Sequence, residues 1–234
     1  GLPHGHAVAL SSGTSSLFLA LRILNGENKK ILFPSYVCSA LRHAVAMVNG
    51  EEKLIDISSN SPNISMSDIN DNPHDLSIIP HMYGIPINFE NKSNPVIEDC
   101  CQALGAKVNN QFVGLKGDIG IFSFYVTKLM TSGGQGGMLI SNNKKYVDAA
   151  RDYREFDLRS DNKKRFNFQI TDLQAAIGRE QLKKLPDFLK KRDEIFNVYK
   201  NAGLDMLDVD DKAIQPIRYR AIIKTKDPIE IIKN

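Results

Sequence analysis

The sequence predicts an α/β fold built on a mostly parallel sheet. Short apolar runs alternate with amphipathic helical patterns through the first two-thirds of the chain, as strands joined by helical crossovers do. After about residue 142 the character changes, and apolar residues three and four apart predict successive helices. A chain of 234 residues, 42% hydrophobic and 24% charged, is ample for one sizeable core and a smaller second unit.

In chain order, a strand-like run at 7–10 leads straight into a turn of small residues and an amphipathic helix at 15–24. Strands are predicted at 31–33, 53–57, 76–80, 96–98, 119–124 and 138–141, with a second helix over 36–48. Three more helices are predicted at 144–154, 172–185 and 187–199, the last opened by Pro186, whose fixed φ suits a first helical turn. A strand at 214–224 and a helix start at Asp227 are left unfinished at Asn234, so both ends of the chain are expected to interrupt a larger fold.

The net charge of +3 is small, and no aromatic residues interleave with the basic clusters Lys163-Lys164-Arg165, Lys183-Lys184 and Lys190-Lys191-Arg192. They read as solvated helix faces, and no nucleic-acid partner is expected. Cys38, Cys100 and Cys101 form no C-x-x-C pair, and the histidines offer no helical pair at metal-ligand spacing. Neither a disulfide framework nor a metal site is implied, which points to a reducing cytoplasm. The apolar stretches fall far short of a membrane span, and no signal peptide pattern opens the chain.

Three segments carry candidate chemistry. Ser11-Ser12-Gly13-Thr14-Ser15 joins an apolar strand to an amphipathic helix. Small residues there form either an ordinary N-cap or an anion site, where unpaired amides and the helix dipole face a ligand. Val96-Ile97-Glu98-Asp99-Cys100-Cys101-Gln102 ends an apolar strand in two carboxylates, at the strand end where α/β folds bind ligands. An acid there either caps the next segment or faces a cationic ring nitrogen. Lys128 follows the apolar, aromatic run 119–126 and precedes four glycines within 133–137. Most lysines are surface side chains, but partial desolvation favours the neutral amine and makes it a nucleophile toward an aldehyde. Ser123 offers a hydroxyl to a phosphate five residues earlier. A phosphate cradle, a buried acid and a sheltered lysine, in this order, are what a pyridoxal phosphate site needs.

These residues resemble the DegT-type sugar aminotransferases of pyridoxal phosphate fold type I, from about residue 7 to 204. The likeness rests on Ser-Gly-Thr-Ser-Ser-Leu at 12–17, Phe33-Pro34-Ser35-Tyr36, His81-Met82-Tyr83-Gly84, Glu98-Asp99-Cys100-Cys101-Gln102 and the run from Ser123 to Lys128. Phe166-Asn167-Phe168, Leu173-Gln174-Ala175-Ala176-Ile177-Gly178 and Gln181-Leu182 extend it.

The resemblance implies a three-layer pyridoxal phosphate domain over residues 1–185 and the start of a smaller α/β domain over 186–234. It implies Lys128 as the Schiff-base lysine and as general base and acid, with Asp99 on the pyridine nitrogen and Gln102 on the ring's phenolic oxygen. Gly13, Thr14 and Ser123 would hold the phosphate, and Asn167 would reach the phosphate of a neighbouring subunit in a homodimer. Cys38 stands where relatives usually carry an aromatic residue that stacks on the cofactor ring. Gln135 occupies a position usually acidic, and Gln169 replaces a common arginine. By the same resemblance, the family's usual N-terminal segment and much of its C-terminal domain are expected to be missing from this sequence. The activity implied is transfer of an amino group from an amino acid, by resemblance glutamate, to a nucleotide-linked keto sugar. A sugar dehydratase of the same family is an alternative, but that branch has histidine in place of Lys128. A non-catalytic dimerisation or regulatory module is the other.

Overall fold

The computed structural model describes residues 5–89 and 93–233. Strand β1 (His6–Leu10) runs through Ser12 into helix α1 (Gly13–Ile23). The start of α1 is fixed by a capping box: Ser12 Oγ accepts from the Ser15 amide at 3.0 Å, and the Ser12 amide donates to Ser15 Oγ at 3.0 Å. Next come β2 (Lys30–Pro34), α2 (Ala40–Met47), β3 (Glu51–Ile55), α3 (Met66–Asp71) and β4 (Leu76–Pro80). A 3₁₀ turn at Met82–Gly84 precedes β5 (Val96–Asp99). The small hairpin β6 (Lys107–Val108) and β7 (Gln111–Phe112) leads to β8 (Ile119–Ser123) and β9 (Gly137–Ser141). Helices α4 (Lys144–Arg154) and α5 (Asp172–Asn201), strand β10 (Ile214–Gln215) and helix α6 (Pro228–Lys233) complete the described elements.

Seven strands form one sheet in the order β1-β9-β8-β5-β4-β2-β3. The pairings from β8 through to β3 are parallel, while β9 runs antiparallel to both β8 and β1. The expected mostly parallel α/β sheet is therefore present. Side chains alternate between its faces, as the strand period of two requires. Ile31, Phe33, Ile78, Ile97 and Ile121 pack with α1, α2 and α4, whereas Leu32, Ile79 and Phe122 face two clusters on the other side. Leu185 and Leu189 of α5 belong to one of those clusters, so helices cover both faces. Among the described residues no helix is long and apolar enough to cross a membrane.

Three expectations about the elements change. The helices expected at 172–185 and 187–199 are one helix of 30 residues, with Pro186 inside it. An interior proline removes a backbone bond and costs about 3 kcal/mol. Here buried Leu185 and half-buried Leu189 on its two sides hold the helix together past the proline. The strand expected at 214–224 shrinks to Ile214–Gln215. Pro216 brings no amide to a ladder, and the chain docks instead on the 3₁₀ turn, where the Ile217 amide donates to the Gly84 carbonyl at 2.9 Å. The helix expected over 36–48 starts only at Ala40, because the Val37 amide turns back to the Ser35 carbonyl. Helix α3 and the β6–β7 hairpin gave no periodic signal long enough to be predicted.

Candidate active site

The sheet places its chemistry at one end. Strand β5 finishes with Asp99 and β8 with Ser123, and in the parallel register Asp99 lies beside Ile121. The start of α1 closes on the same place. A β-carbon on Gly13 would lie 2.8 Å from Ser123 Cβ, 3.2 Å from Ser123 Oγ and 3.3 Å from Cys101 Sγ. Only glycine admits this approach of helix start to strand end. Gly13 and Thr14 are the first two helical residues, so their amides are donors that the helix itself leaves unused.

Asp99 is buried and accepts from the Cys101 amide through Oδ1 at 2.9 Å. Burial pushes the Cys101 thiol well above its usual value, and the neighbouring Asp99 carboxylate, also hydrogen-bonded to it, pushes it further. The positive charge of Lys128 acts on the same thiol in the opposite direction, and Cys38 also lies within its electrostatic reach. Asp99, Gly13 and Ser123 thus converge at Cys101, with Lys128 and Cys38 within its electrostatic reach. Cys38 itself is exposed.

Lys128 sits in the connection between the antiparallel strands β8 and β9. Backbone bonds lace that connection: Phe124 to Gly136, Val126 to Gly134, Lys128 to Tyr125, and Ser132 back to Phe124. The amine has no carboxylate at ion-pair distance among the described residues. It lies over the Tyr219 ring, 5.3 Å from its centre. Tyr219 is buried and reaches Thr127 O through its hydroxyl at 3.4 Å.

Gln102 is half-buried. Its Oε1 accepts from the Tyr83 amide at 2.9 Å, and its Nε2 lies 3.9 Å from Met82 Sδ. Asn167 is elsewhere. Phe166 and Phe168 both pack edge-on against Phe18 of α1, which leaves the residue between them exposed, with no hydrogen bond among the described residues. The structure therefore brings Gly13, Thr14, Asp99, Cys101, Ser123 and Lys128 together and leaves Asn167 outside that group.

The second carboxylate of the strand end, Glu98, points away into the core. Its four acceptor positions are filled by His81 Nε2 and the amides of Gly114, Lys116 and Gly117 at 2.6–3.0 Å. Burial alone would raise its pKa, but the His81 bond and the backbone donors outweigh it and hold the carboxyl below the usual range. His81 Nδ1 accepts from the Ile87 amide, so Nε2 carries the proton. Cys100 completes a buried trio with these two, but the lone pairs of Glu98 and His81 are spent on hydrogen bonds.

Sequence reasoning gave no role to Tyr36, Tyr83, Tyr219 or Arg220. The Tyr36 and Tyr83 hydroxyls are 2.5 Å apart, and Arg220 lies over the Tyr219 ring at 4.9 Å. Tyr83 has φ 55°, a left-handed conformation that is an outlier for a bulky side chain. The Tyr83-Gly84 pair was the one local signal, since such a turn favours positive φ. Tyr219 gave none, because only the fold brings it to Lys128 from 91 positions away.

A lysine in a glycine-rich connection, an acid at the end of a parallel strand and a helix start beside a serine lie where open α/β sheets bind ligands, at the carboxyl ends of the strands, and mark a candidate site. The chain belongs to the DegT/DnrJ/EryC1/StrS aminotransferase family, whose pattern it matches over residues 2–218. It is 30% identical over 211 residues to the GDP-perosamine synthase of Escherichia coli O157:H7, an alignment covering 83% of this chain and 58% of that protein. It is also 30% identical over 246 residues to the UDP-4-amino-4,6-dideoxy-N-acetyl-beta-L-altrosamine transaminase of Campylobacter jejuni serotype O:2, covering 95% of this chain and 61% of that one. The chain thus spans about three-fifths of the length of these relatives. Among solved structures, AtS13 from Actinomadura melliaura superposes with a TM-score of 0.87 at 23% identity, covering 97% of this chain and 69% of that one. Spr1654 from Streptococcus pneumoniae, solved in its PLP form, superposes with a TM-score of 0.81 at 20% identity, covering 91% and 64%. These likenesses bear out the expected fold.

Proposed function

We propose that the chain is the cofactor-binding part of a pyridoxal phosphate-dependent aminotransferase. Its reaction moves an amino group from an amino acid, by our reading glutamate, to a nucleotide-linked keto sugar. The observation that carries this is the convergence of Gly13, Ser123, Asp99 and Lys128 around Cys101. The residues fit the group. The close approach of Gly13 to Ser123 sets a hydroxyl beside two unspent amides of the helix start, which suits a phosphate. Asp99 is a buried acid for the ring nitrogen, and Lys128 is an amine with no carboxylate partner among the described residues.

Pyridoxal phosphate, when bound, supplies an aldehyde carbon and an electron-withdrawing ring. Gly13, Thr14 and Ser123 hold the phosphate. Asp99 keeps the ring nitrogen protonated, and Gln102 offers an Nε2 proton to the ring oxygen. Lys128 would supply the amine that holds the aldehyde carbon and, when the donor's own amine takes that place, would serve as the base and acid that moves the donor's α-proton. Cys38 would border one side of the ring, where a thiol would give thinner cover than an aromatic side chain.

Relatives named for GDP- and UDP-linked sugars support the substrate class. A homodimer fits the exposed apolar strip of Tyr125, Val126, Leu173, Ile177 and Leu182 along the Lys128 connection and α5. It also fits the exposure of Asn167, which in this reading serves the partner's phosphate. The large domain covers 1–185 and the smaller one begins at 186, with α5 shared between them. Three free thiols suit a reducing, cytoplasmic setting.

Visible absorption of the purified chain with pyridoxal phosphate, before and after glutamate, tests the reading. Borohydride reduction and peptide mapping should then place a pyridoxyl group on Lys128. An adduct on another lysine, or none, would overturn the assignment.

A further inference from the structure

Three arginines reach the segment that docks beside Lys128, and two of them are engaged. Arg218 pairs with Asp193 at 3.3 Å and Asp208 at 2.8 Å and lies over Phe196. Arg192 donates to the carbonyls of Arg218 and Tyr219. Arg220 is exposed and has no ion pair among the described residues. Its guanidinium lies over the same Tyr219 ring that carries the Lys128 amine. A buried tyrosine ring therefore contacts both the Lys128 amine and a guanidinium with no ion pair among the described residues.

The other donors come from Tyr36 and Tyr83. Tyr83 is held in its left-handed conformation from three sides. Its amide donates to Gln102 Oε1, its carbonyl accepts from the Tyr219 amide at 3.3 Å, and its hydroxyl meets that of Tyr36 at 2.5 Å. A bulky residue keeps such a conformation only where its surroundings over-determine it. The result aims the two hydroxyls toward one place, and the charge of Arg220 acts on Tyr83 there. Burial, then the bond to Tyr36, pushes the Tyr83 hydroxyl up to about 12, so it remains a proton donor at neutral pH. One hydroxyl donates to the other, and the pair keeps one proton to give outward.

We propose that Arg220 and the Tyr36–Tyr83 hydroxyl pair form an anion-recognition subsite beside Lys128, which anchors an acidic group of the incoming substrate. This rests on the reading of Lys128 as the reactive amine. The chemistry recognised is a planar or forked set of anionic oxygens, which a guanidinium binds through paired N–H donors. A carboxylate of the amino donor and the diphosphate of a nucleotide-linked sugar both present it.

Calorimetric titration separates the two. Glutarate, an unreactive dicarboxylate, and uridine diphosphate are each titrated into the chain in buffer saturated with pyridoxal phosphate, so that the phosphate cradle is filled. Arg220→Gln should weaken at least one ligand by about tenfold or more, with partial recovery in Arg220→Lys and a smaller loss in Tyr83→Phe. A loss confined to glutarate assigns the carboxylate, one confined to uridine diphosphate assigns the diphosphate, and a loss of both assigns a shared anchor. If the parent binds neither ligand, or if Arg220→Gln binds both within about twofold of the parent, the subsite is wrong. The pyridoxyl adduct on Lys128 is scored separately. Its absence sinks the aminotransferase reading and leaves the anion titration to stand by itself.

Discussion

Gly13 and Ser123, 110 positions apart, approach so closely that a β-carbon on the glycine would lie 2.8 Å from the serine's. The contact ties the start of α1 to the end of β8, and both are donors toward the same space. A methyl group at position 13 separates them. Gly13→Ala is expected to cost about 1–3 kcal/mol of stability by overpacking. It should also weaken pyridoxal phosphate binding by more than that loss accounts for. Urea unfolding and an absorption titration with the cofactor, on the same preparation, check both effects.

Asp99 is buried at the end of β5 with one oxygen engaged by the Cys101 amide. Asp99→Asn preserves shape and that bond while removing the charge that keeps a ring nitrogen protonated. The variant should retain much of its cofactor yet lose most of the half-reaction rate with glutamate, by roughly a hundredfold or more for a lost charged partner. Stopped-flow absorption reads the rate. Reaction as fast as the parent's removes Asp99 from the proposed role.

Glu98 anchors the 114–117 turn to β5 through four donors. Glu98→Gln turns an NH₂ group toward two of them. The expected cost is about 2–4 kcal/mol, from donors left unsatisfied in the core. The sign of the pH dependence follows from the depressed carboxyl. Its contribution is complete above the ordinary glutamate value of about 4.3 and is lost as pH falls through the lower folded value. Urea midpoints measured from pH 7 down to pH 3 should fall in the parent, and less steeply in the variant.

Asn167 faces solvent between two phenylalanines that pin its segment to α1. If it serves the partner's phosphate, Lys128→Ala and Asn167→Asp subunits are each inactive as homodimers. In a mixed dimer both defects fall on one site, and the other regains an intact Lys128 and an intact Asn167. Mixing should restore up to one working site per mixed dimer. Mixed dimers that form without recovering the half-reaction would show that Asn167 does not act across an interface.

The strands and the candidate lysine were legible in the sequence for local reasons. Runs such as Leu76–Pro80 and Ile119–Ser123 are apolar, bounded by turn residues and buried on both faces. Lys128 stood out by its flanks. What escaped notice depends on packing at a distance. Pro186 carries the usual sign of a helix start, and only the packing of Leu185 and half-buried Leu189 against the far side of the sheet carries the helix past it. Tyr219 and Arg220 lie in an apolar run that reads as a strand until Gly84 captures it. The two carboxylates Glu98 and Asp99 looked equivalent in sequence, and the period of two sent one to the core and the other to the site.

The unbroken length of α5 has a mechanical consequence. Thirty helical residues span about 45 Å. Near one end Gly178 rests on Ser132 of the Lys128 connection, and toward the other Arg192 donates to the carbonyls of Arg218 and Tyr219. The helix therefore acts as a ruler that touches both the Lys128 connection and the Tyr219 segment. A shift of its axis would move both segments together, so their separation follows from the helix and not from the sheet.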